Sequence, residues 1–485
     1  MTITSTSIGA VAALAAGLLT AVAPTASAAP PWLTWSSCPD ATEADCATLT
    51  VPVDWSREGG PTVDLAVARR PATDPARRIG VLVVNPGGPG GSAAEFAKEA
   101  PSTFSPEVLA RFDVVGVDPR GVGDSNPILC DTSATGVPYP TGRPDTPERF
   151  AGLAAFNRAV AADCRARTGP VFDRADARSA VRDVDALRAA LGERRISYFG
   201  VSYGTLYGQE YAERFGHRLR AMVVDSVVDG SADLSGLMLQ GARAAEDVFA
   251  EFARWCGATP TCAQHGRDVP ALFDALRGRA ERGELHEPGA PDEPLEVDQL
   301  VERTVRAGYG PNWDLLSAYL ADLEAQTGAR TSPATDGVGA SAVSRRPHLA
   351  VLCEDFTGHP TSADDVVRID REVRGAAPVV RAAPIWNRAL TSCVGWTGPV
   401  LNPPGPWTPR HAPPVLMLNS LHDPSTGHEG AVTAWRQSRG AATLVTYEGT
   451  GHGVYTRTDC TRATADAYLL DLVVPADGTR CPAAG

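Results

Sequence analysis

A tight turn between a predicted strand and a predicted helix is the feature that most constrains what this chain can fold into. The turn, Gly200-Val-Ser-Tyr-Gly204, follows the apolar run Ile196-Ser-Tyr-Phe199 and precedes a helical stretch over 206–215. Small residues on both sides of Ser202 allow a bend so sharp that the serine hydroxyl projects above the carboxyl end of the strand. A serine that merely caps the helix is the alternative, but the flanking strand and helix favour a nucleophile.

Short runs rich in β-branched residues recur on both sides of this turn. Helical stretches separate most of them, which predicts a doubly wound, mostly parallel sheet that is buried on both faces. The predicted strands are 79–84, 112–117, 196–199, 219–224, 415–418 and 442–446. Together with the serine turn, this pattern predicts the α/β-hydrolase fold.

The middle of the chain follows a different pattern. Between 231 and 410 the strand signals vanish and helical periodicity dominates, with breaks rich in proline and glycine at 287–294 and 331–340. We interpret 231–410 as a mainly helical lid domain that is inserted into a sheet domain made of 29–230 and 411–485.

The N-terminus has the pattern of a signal peptide over 1–28. Residues 8–22 are apolar and Ala26-Ser-Ala28 fits a cleavage site, although neither lysine nor arginine precedes the apolar run. A buried N-terminal helix is the alternative. We therefore expect a secreted, extracellular protein, and the sequence leaves association with the cell wall open.

The cysteines also point to export. All ten lie beyond residue 28, and an even number in an exported chain predicts disulfides. A zinc site or free thiols are the alternatives, but the spacing lacks C-x-x-C motifs and an accompanying histidine cluster, so we expect no metal. Proximity along the chain suggests the pairs Cys38–Cys46, Cys130–Cys164, Cys256–Cys262, Cys353–Cys393 and Cys460–Cys481.

Charge and hydropathy exclude some partners. The formal net charge of −13 disfavours nucleic acid and anionic membranes. After the signal peptide, no stretch reaches the roughly 20 apolar residues of a membrane-spanning helix. We expect neither nucleic acid nor a membrane span; the sequence does not set the oligomeric state, and we expect a monomer.

A serine nucleophile needs a base within hydrogen-bond reach and a carboxylate that orients the base. In the predicted fold the acid and then the histidine follow the serine along the chain. His452 follows the last predicted strand and is the candidate base. Asp423 follows the strand before it and is the candidate acid, with Asp225 as the alternative, whereas the neighbouring His422 fits a loop residue better than a second base.

Acyl transfer also needs N–H donors for the oxyanion. The backbone of Tyr203, the residue after the nucleophile, supplies one. The glycine-rich stretch 86–91 should supply the other, with Gly88 the first candidate and Gly87 the next. A phosphate-binding loop is excluded because Walker lysine and Rossmann spacing are both absent.

Several of these motifs together resemble one family, the secreted tripeptidyl aminopeptidases and mycelium-associated proteinases of the prolyl-aminopeptidase branch of the α/β-hydrolases. The resemblance covers nearly the whole chain after the signal peptide and is weakest in the lid. The segments that carry it are Asn85-Pro-Gly-Gly-Pro-Gly-Gly-Ser92, Asp118-Pro-Arg-Gly-Val-Gly-Asp-Ser125, Gly200-Val-Ser-Tyr-Gly-Thr205, Asp423-Pro-Ser-Thr426, Gly451-His-Gly453 and the Cys460/Cys481 pair.

The resemblance implies a cofactor-free enzyme that releases short peptides, typically tripeptides, from the free N-termini of peptide substrates. Lid carboxylates should then bind the substrate ammonium group, and Glu354 and Asp355 are the candidates; an ordinary solvated acidic pair is the alternative. Because the family also contains carboxylesterases, an esterase or lipase with the same triad is a second hypothesis. A non-enzymatic binding protein on a hydrolase scaffold is the third.

Overall fold

The computed structural model describes residues 33–140, 142–326 and 343–484, together with residues 1, 2 and 4. Nearly all of the predicted signal peptide (1–28) and the predicted loop at 331–340 lie outside the described residues. From residue 33 onwards the described residues belong to one compact unit.

One large sheet organises the described part of the chain. The strands of the whole described chain are β1 (Ser36–Cys38), β2 (Ala41–Pro52), β3 (Thr62–Arg70), β4 (Gly80–Asn85), β5 (Phe112–Val117), β6 (Leu129–Cys130), β7 (Ile196–Val201), β8 (Leu219–Asp225), β9 (His286–Glu287), β10 (Ala290–Pro294), β11 (Ser344–Arg345), β12 (Val415–His422), β13 (Ala442–Thr450) and β14 (Arg480–Cys481). The strands of the large sheet follow the order β1-β2-β3-β5-β4-β7-β8-β12-β13-β14.

From β5 to β14 the neighbouring strands of this sheet are parallel, whereas β1, β2 and β3 pair antiparallel at one edge and β3 joins β5 antiparallel. The six predicted strands are therefore the parallel centre, and the α/β-hydrolase fold class predicted from the sequence is confirmed. The antiparallel edge was not predicted from the sequence.

Both faces of the sheet are covered. In β4 every residue from Gly80 to Asn85 is buried. Val81 and Val83 pack into one apolar cluster, whereas Leu82 and Val84 pack into a second one. This alternation follows from the two-residue period of a strand and explains why the run carries no polar face.

Helices cover the sheet and fill the middle of the chain. They are α1 (Ala93–Lys98), α2 (Ala100–Thr103), α3 (Pro106–Arg111), α4 (Pro147–Thr168), α5 (Ala177–Ala190), α6 (Tyr203–Phe215), α7 (Leu234–Ala258), α8 (Val269–Glu281), α9 (Val297–Arg306), α10 (Trp313–Ala325), α11 (Pro347–Asp355), α12 (Ala363–Ala376), α13 (Pro384–Ser392), α14 (His428–Gln437) and α15 (Asp459–Asp471).

The segment interpreted as a lid lies between β8 and β12, which are side-by-side neighbours in the sheet. It contains α7 to α13, but it is not free of strands. The strands β9 and β10 form a small hairpin, and β11 pairs with β6 of the preceding part of the chain. The bounds 231–410 of a lid domain stay a prediction.

Five disulfides join cysteines that are neighbours in the order of the sequence. Cys353–Cys393 and Cys130–Cys164 close the longest loops, with separations of 40 and 34 residues. The others are Cys38–Cys46, Cys256–Cys262 and Cys460–Cys481. In the described residues, none of the helices combines the length and apolar character that crossing a membrane requires.

Candidate active site

Ser202 sits at the end of β7, in a backbone conformation that is unusual for a residue with a side chain. Its φ is 57° and its ψ is −125°, and α6 starts at the next residue, earlier than the predicted start at Leu206. The Ser202 N–H donates to the Asp225 carbonyl at 2.9 Å, and the Ser202 carbonyl accepts from the N–H of Thr205 at 2.8 Å. Hydrogen bonds on both sides of the residue hold this strained turn.

The glycines of the motif are required by close backbone contacts. A Cβ at position 200 would lie 2.5 Å from the Gly204 carbonyl oxygen, and a Cβ at position 204 would lie 2.5 Å from the Asn85 carbonyl oxygen. Distances this short exclude a side chain unless the backbone moves. The turn is therefore packed tightly between its own helix and the end of β4.

His452 and Asp423 lie together beyond the carboxyl ends of β13 and β12. The His452 Nδ1 is 2.9 and 3.0 Å from the two carboxylate oxygens of Asp423. Asp423 also accepts hydrogen bonds from the N–H groups of Ser425 and Thr426 at 2.8 and 2.9 Å. Because an ionised carboxylate only accepts, Nδ1 carries the proton and Nε2 is left as the basic nitrogen.

The electrostatics of the pair suit this arrangement. Burial opposes ionisation of Asp423, but His452 and the backbone N–H donors outweigh it and lower the pKa of Asp423 below its ordinary value. Burial likewise opposes charge on His452, but the Asp423 carboxylate raises the pKa of His452 above 6.5. The imidazole is thus a stronger base than a free histidine side chain.

Asp225, the alternative acid, has another role. Its carboxylate accepts from the N–H groups of Val454 and Tyr455, at 2.8 to 2.9 Å, and therefore holds the loop that carries His452. Burial raises the pKa of Asp225 to about 6 despite these bonds. Since Asp423 contacts the imidazole itself, the geometry favours Asp423 as the orienting acid.

Ser202 and His452 line the same cleft, which has a volume of about 430 Å³ and is also lined by Gly88. Helices α9, α11 and α13, which belong to the segment interpreted as a lid, line one side of this cleft. The N–H of His452 donates to the Tyr309 carbonyl at 3.0 Å, and the two rings lie 4.9 Å apart between centroids. Tyr309 was not singled out from the sequence, because no motif marks a residue that packs on the base from a distant part of the chain.

The glycine-rich loop packs directly on the serine turn. A Cβ at position 87 would meet the Val201 carbonyl oxygen and lie 2.6 Å from the Tyr203 nitrogen. The Gly87 N–H already donates to the Asn85 side chain at 2.9 Å, which favours Gly88 as the oxyanion donor. Tyr203 is the first residue of α6, so its N–H has no acceptor within the helix. The roles of Gly88 and Tyr203 stay predictions.

The structure does not bring Glu354 and Asp355 to the cleft, so their assignment as binders of the substrate ammonium is corrected. Each residue is 1% exposed. The Glu354 carboxylate accepts from the Ala175 N–H at 2.8 Å, and the Asp355 carboxylate accepts from the Ala177 N–H at 2.8 Å and from the Tyr203 hydroxyl at 2.5 Å. Both carboxyl groups instead bind backbone N–H groups at residues 175 and 177, and Asp355 also binds the side chain of the residue that follows Ser202.

Burial also changes the charge of this acidic pair. It is the main cause that raises the pKa of Glu354 and of Asp355 well above the ordinary values, and the nearby Asp176 adds to it. The alternative of a solvated acidic pair is wrong as well.

Three charged residues of the cleft were missed. Glu302 and Arg306 on α9 and Arg388 on α13 line it together with Ser202 and His452. They come from helices whose packing on the sheet is not encoded by any local motif. The i, i+4 spacing of Glu302 and Arg306 is a signal only for an ordinary ion pair on a helix.

His422, the last residue of β12, lies next to Asp423 in the sequence and contacts α7. Its Nδ1 is 2.7 Å from Asp247 Oδ2 and its Nε2 is 3.1 Å from Glu251 Oε1, both on α7. These three side chains are a candidate set of metal ligands in the described residues. However, the two ring nitrogens face different carboxylates of α7, so the side chain links α7 to the loop carrying Asp423.

Two family models match the chain: one described as an alpha/beta hydrolase fold over 80–287 and one described as a TAP-like protein over 377–481. The serine protease Hip1 of Mycobacterium tuberculosis is 31% identical over 457 residues, which cover 90% of this chain and 87% of the relative. Carboxylesterase B of the same species is 33% identical over 486 residues, covering 93% and 90%. The tripeptidyl aminopeptidase of Streptomyces coelicolor is 31% identical over 443 residues, covering 88% and 80%.

The relatives cover most of the chain, and the second family model spans the region that contains both Asp423 and His452. The chain therefore belongs to the tripeptidyl aminopeptidase family of the α/β-hydrolase fold, and it is a serine hydrolase.

Proposed function

We propose that this serine hydrolase is a peptidase that releases short peptides, tripeptides foremost, from the free N-termini of its substrates. The observation that carries the proposal is the hydrogen-bonded Asp423–His452 pair, whose imidazole lines the same cleft as Ser202. Relatives named serine protease and tripeptidyl aminopeptidase support the peptide as substrate.

The proposed reaction is acyl transfer through Ser202. The Ser202 oxygen attacks the scissile carbonyl carbon while His452 Nε2 takes the hydroxyl proton, and Asp423 holds the resulting imidazolium. The N–H groups of Gly88 and Tyr203 stabilise the oxyanion. His452 then gives its proton to the leaving amine, the C–N bond breaks, and water hydrolyses the acyl-enzyme with His452 again as base.

We assign recognition of the substrate ammonium to Glu302. Among the described residues that line the cleft, Glu302 is the one with a carboxylate, and its side chain is 29% exposed. Buried carboxyl groups such as Glu354 are out of reach of a substrate. An exopeptidase needs such a carboxylate because the free amine distinguishes a terminus from internal peptide bonds.

Secretion is part of the proposal. The signal-peptide pattern at 1–28 and five disulfides support it, since disulfides persist mainly outside the reducing cytosol. A carboxylesterase is the second candidate function, and the 33% identical carboxylesterase B is the observation that favours it.

Hydrolysis of a matched substrate set by the chain from residue 29 onwards tests the proposal. The set contains a tripeptide anilide with a free amine, its N-acetylated form, a single amino-acid anilide and a short acyl ester. We expect the free-amine tripeptide to be the best substrate and acetylation to reduce kcat/KM at least about tenfold, because it removes the ammonium charge.

Two variants serve as controls. Ser202→Ala should reduce turnover by about 10⁶-fold while the protein stays folded. Glu302→Gln should abolish the discrimination against the acetylated substrate. Cleavage of the ester alone would establish the esterase instead, and wild-type turnover by Ser202→Ala would refute the assigned nucleophile.

A further inference from the structure

The charge of the cleft is opposite in sign to the charge of the protein. Two guanidinium groups, Arg306 and Arg388, line it among the described residues, against one carboxylate, that of Glu302. The chain as a whole carries a formal net charge of −13. A local excess of positive charge beside the nucleophile is therefore not a consequence of overall composition.

The other histidine of the cleft adds no positive charge at neutral pH. Burial lowers the pKa of His348 below its ordinary value, and the nearby Arg346 and Arg388 lower it further. Apolar side chains, among them Leu352 and Ile385, also line the cleft. The two arginines are thus the positively charged side chains among the described residues that line the cleft, whereas the Asp423 carboxylate lies behind the His452 ring.

The arginines keep N–H groups available after pairing with Glu302. Arg306 Nε donates to Glu302 Oε1 at 2.8 Å, whereas the nearest Arg388 nitrogen is 3.7 Å from the same oxygen, beyond hydrogen-bond distance. The side chains of Arg306 and Arg388 are 54% and 66% exposed. Because a guanidinium carries several donors in one plane, both side chains can still bind a second carboxylate.

Their position places such a carboxylate next to the reacting groups. The Arg306 guanidinium carbon is 5.9 Å from the centroid of the Tyr309 ring, and that ring packs on the His452 imidazole. Arg388 lines the same cleft, so a substrate that fills the cleft from Ser202 meets both arginines.

We propose that Arg306 and Arg388 form a subsite for a substrate carboxylate, so that the enzyme prefers peptides with a negative charge close to the cleaved bond. This inference rests on the proposed peptidase function. Two parts of a peptide can supply the carboxylate: an aspartate or glutamate side chain, or the free C-terminus of a short leaving fragment.

Tetrapeptides cleaved by the wild-type protein test the inference and separate the two sources. In one arm, glutamate is compared with glutamine at one position at a time. In the other arm, the free C-terminal acid is compared with the amide. We expect kcat/KM to be higher by about fivefold or more for the carboxylate in one of the arms, mainly through a lower KM, and the preference to shrink at high salt.

Arg388→Gln should lower that preference by at least about threefold while the corresponding neutral peptide is cleaved within about twofold of the wild-type rate. Arg306→Gln should lower the preference as well, but it also removes the hydrogen bond to Glu302, so cleavage of the neutral peptide should change too. Arg303→Gln is the matched control, because Arg303 lies on the same helix, is similarly exposed and pairs with Glu287 outside the cleft. It should leave the preference unchanged.

The outcomes are distinct. Equal cleavage of charged and neutral peptides in both arms overturns the subsite and leaves the peptidase standing. A preference that survives in both arginine variants also overturns it. Failure to cleave any of the peptides would overturn the proposed function and this inference with it.

Discussion

The proposed chemistry depends on the protonation of a single imidazole. His452 must be neutral to accept the Ser202 proton, yet its contact with Asp423 raises its pKa above the ordinary 6.5. The activity is therefore lost on the acid side as the pH falls through this raised pKa, and it is retained above it. Burial alone would have moved the pKa of His452 in the opposite direction.

Asp423→Asn should lower kcat by about 10⁴-fold, because an amide facing Nδ1 no longer fixes the tautomer that leaves Nε2 basic. The midpoint of the remaining acid limb should move to lower pH, since the charge that raises the pKa of His452 is gone. A profile of kcat/KM between about pH 4 and pH 9 measures both effects.

Asp225→Asn is the matched control for Asp423→Asn. Asp225 contacts the backbone of the His452 loop but not the imidazole, so the change should reduce stability more than rate. An acid limb that moves to lower pH in Asp225→Asn, together with a wild-type pH profile in Asp423→Asn, would exchange the two assignments.

At the scale of elements, α11 supports the serine turn from behind. Its last two residues, Glu354 and Asp355, bind the backbone at the start of α5, and Asp355 also binds the Tyr203 hydroxyl. Burial raises the pKa of both carboxyl groups, so the folded protein retains protons that the unfolded chain releases above about pH 4. The free energy of unfolding therefore contains a contribution that is lost as the pH rises towards the raised pKa values.

Glu354→Gln should reduce this loss, because a neutral amide does not ionise. Between about pH 5 and pH 8 the free energy of unfolding of Glu354→Gln should fall less than that of the wild type. The difference should grow by about 1.4 kcal/mol for each pH unit of this window that lies below the raised pKa of Glu354. Urea unfolding at the two pH values measures the difference. Glu99→Gln, at an exposed glutamate, should follow the wild type; an equal pH dependence in all three proteins would contradict the raised pKa.

The parallel centre of the sheet and the order of Ser202, Asp423 and His452 could be predicted because their signals are local. Buried runs mark the strands, and each site residue follows one of them. The antiparallel strand β3 also carries a local signal, which was not recognised in the sequence: Val63, Leu65 and Val67 alternate with less buried residues.

The burial of Glu354 and the charges of the cleft could not be predicted in this way. An acidic pair at the end of a helix looks solvated unless the packing of that helix on distant elements is known. Glu302 and Arg388 lie on different helices, and only the packing of α9 against α13 brings them together. Sequence patterns report periodicity and strand ends, not which helices meet.

At the scale of the whole molecule, the cleft is formed between the carboxyl edge of the sheet and helices far along the chain. Cys353–Cys393 joins α11 to the end of α13 across a separation of 40 residues, and both sulfurs are buried. These two helices carry Leu352 and Arg388 of the cleft wall. The disulfide therefore links overall stability to the geometry of substrate binding.

The variant Cys353→Ala/Cys393→Ala should lose about 2–4 kcal/mol of stability. Because its loop is longer, the loss should exceed that of Cys38→Ala/Cys46→Ala, which opens a separation of 8 residues, by about 1.4 kcal/mol on the loop-entropy account. We also expect KM for the tripeptide substrate to rise at least about threefold in the first variant and to stay unchanged in the second, since only the first loosens the cleft wall. Urea unfolding and steady-state kinetics on the two variants measure both effects, and equal effects on KM would show that the disulfide does not hold the wall in place.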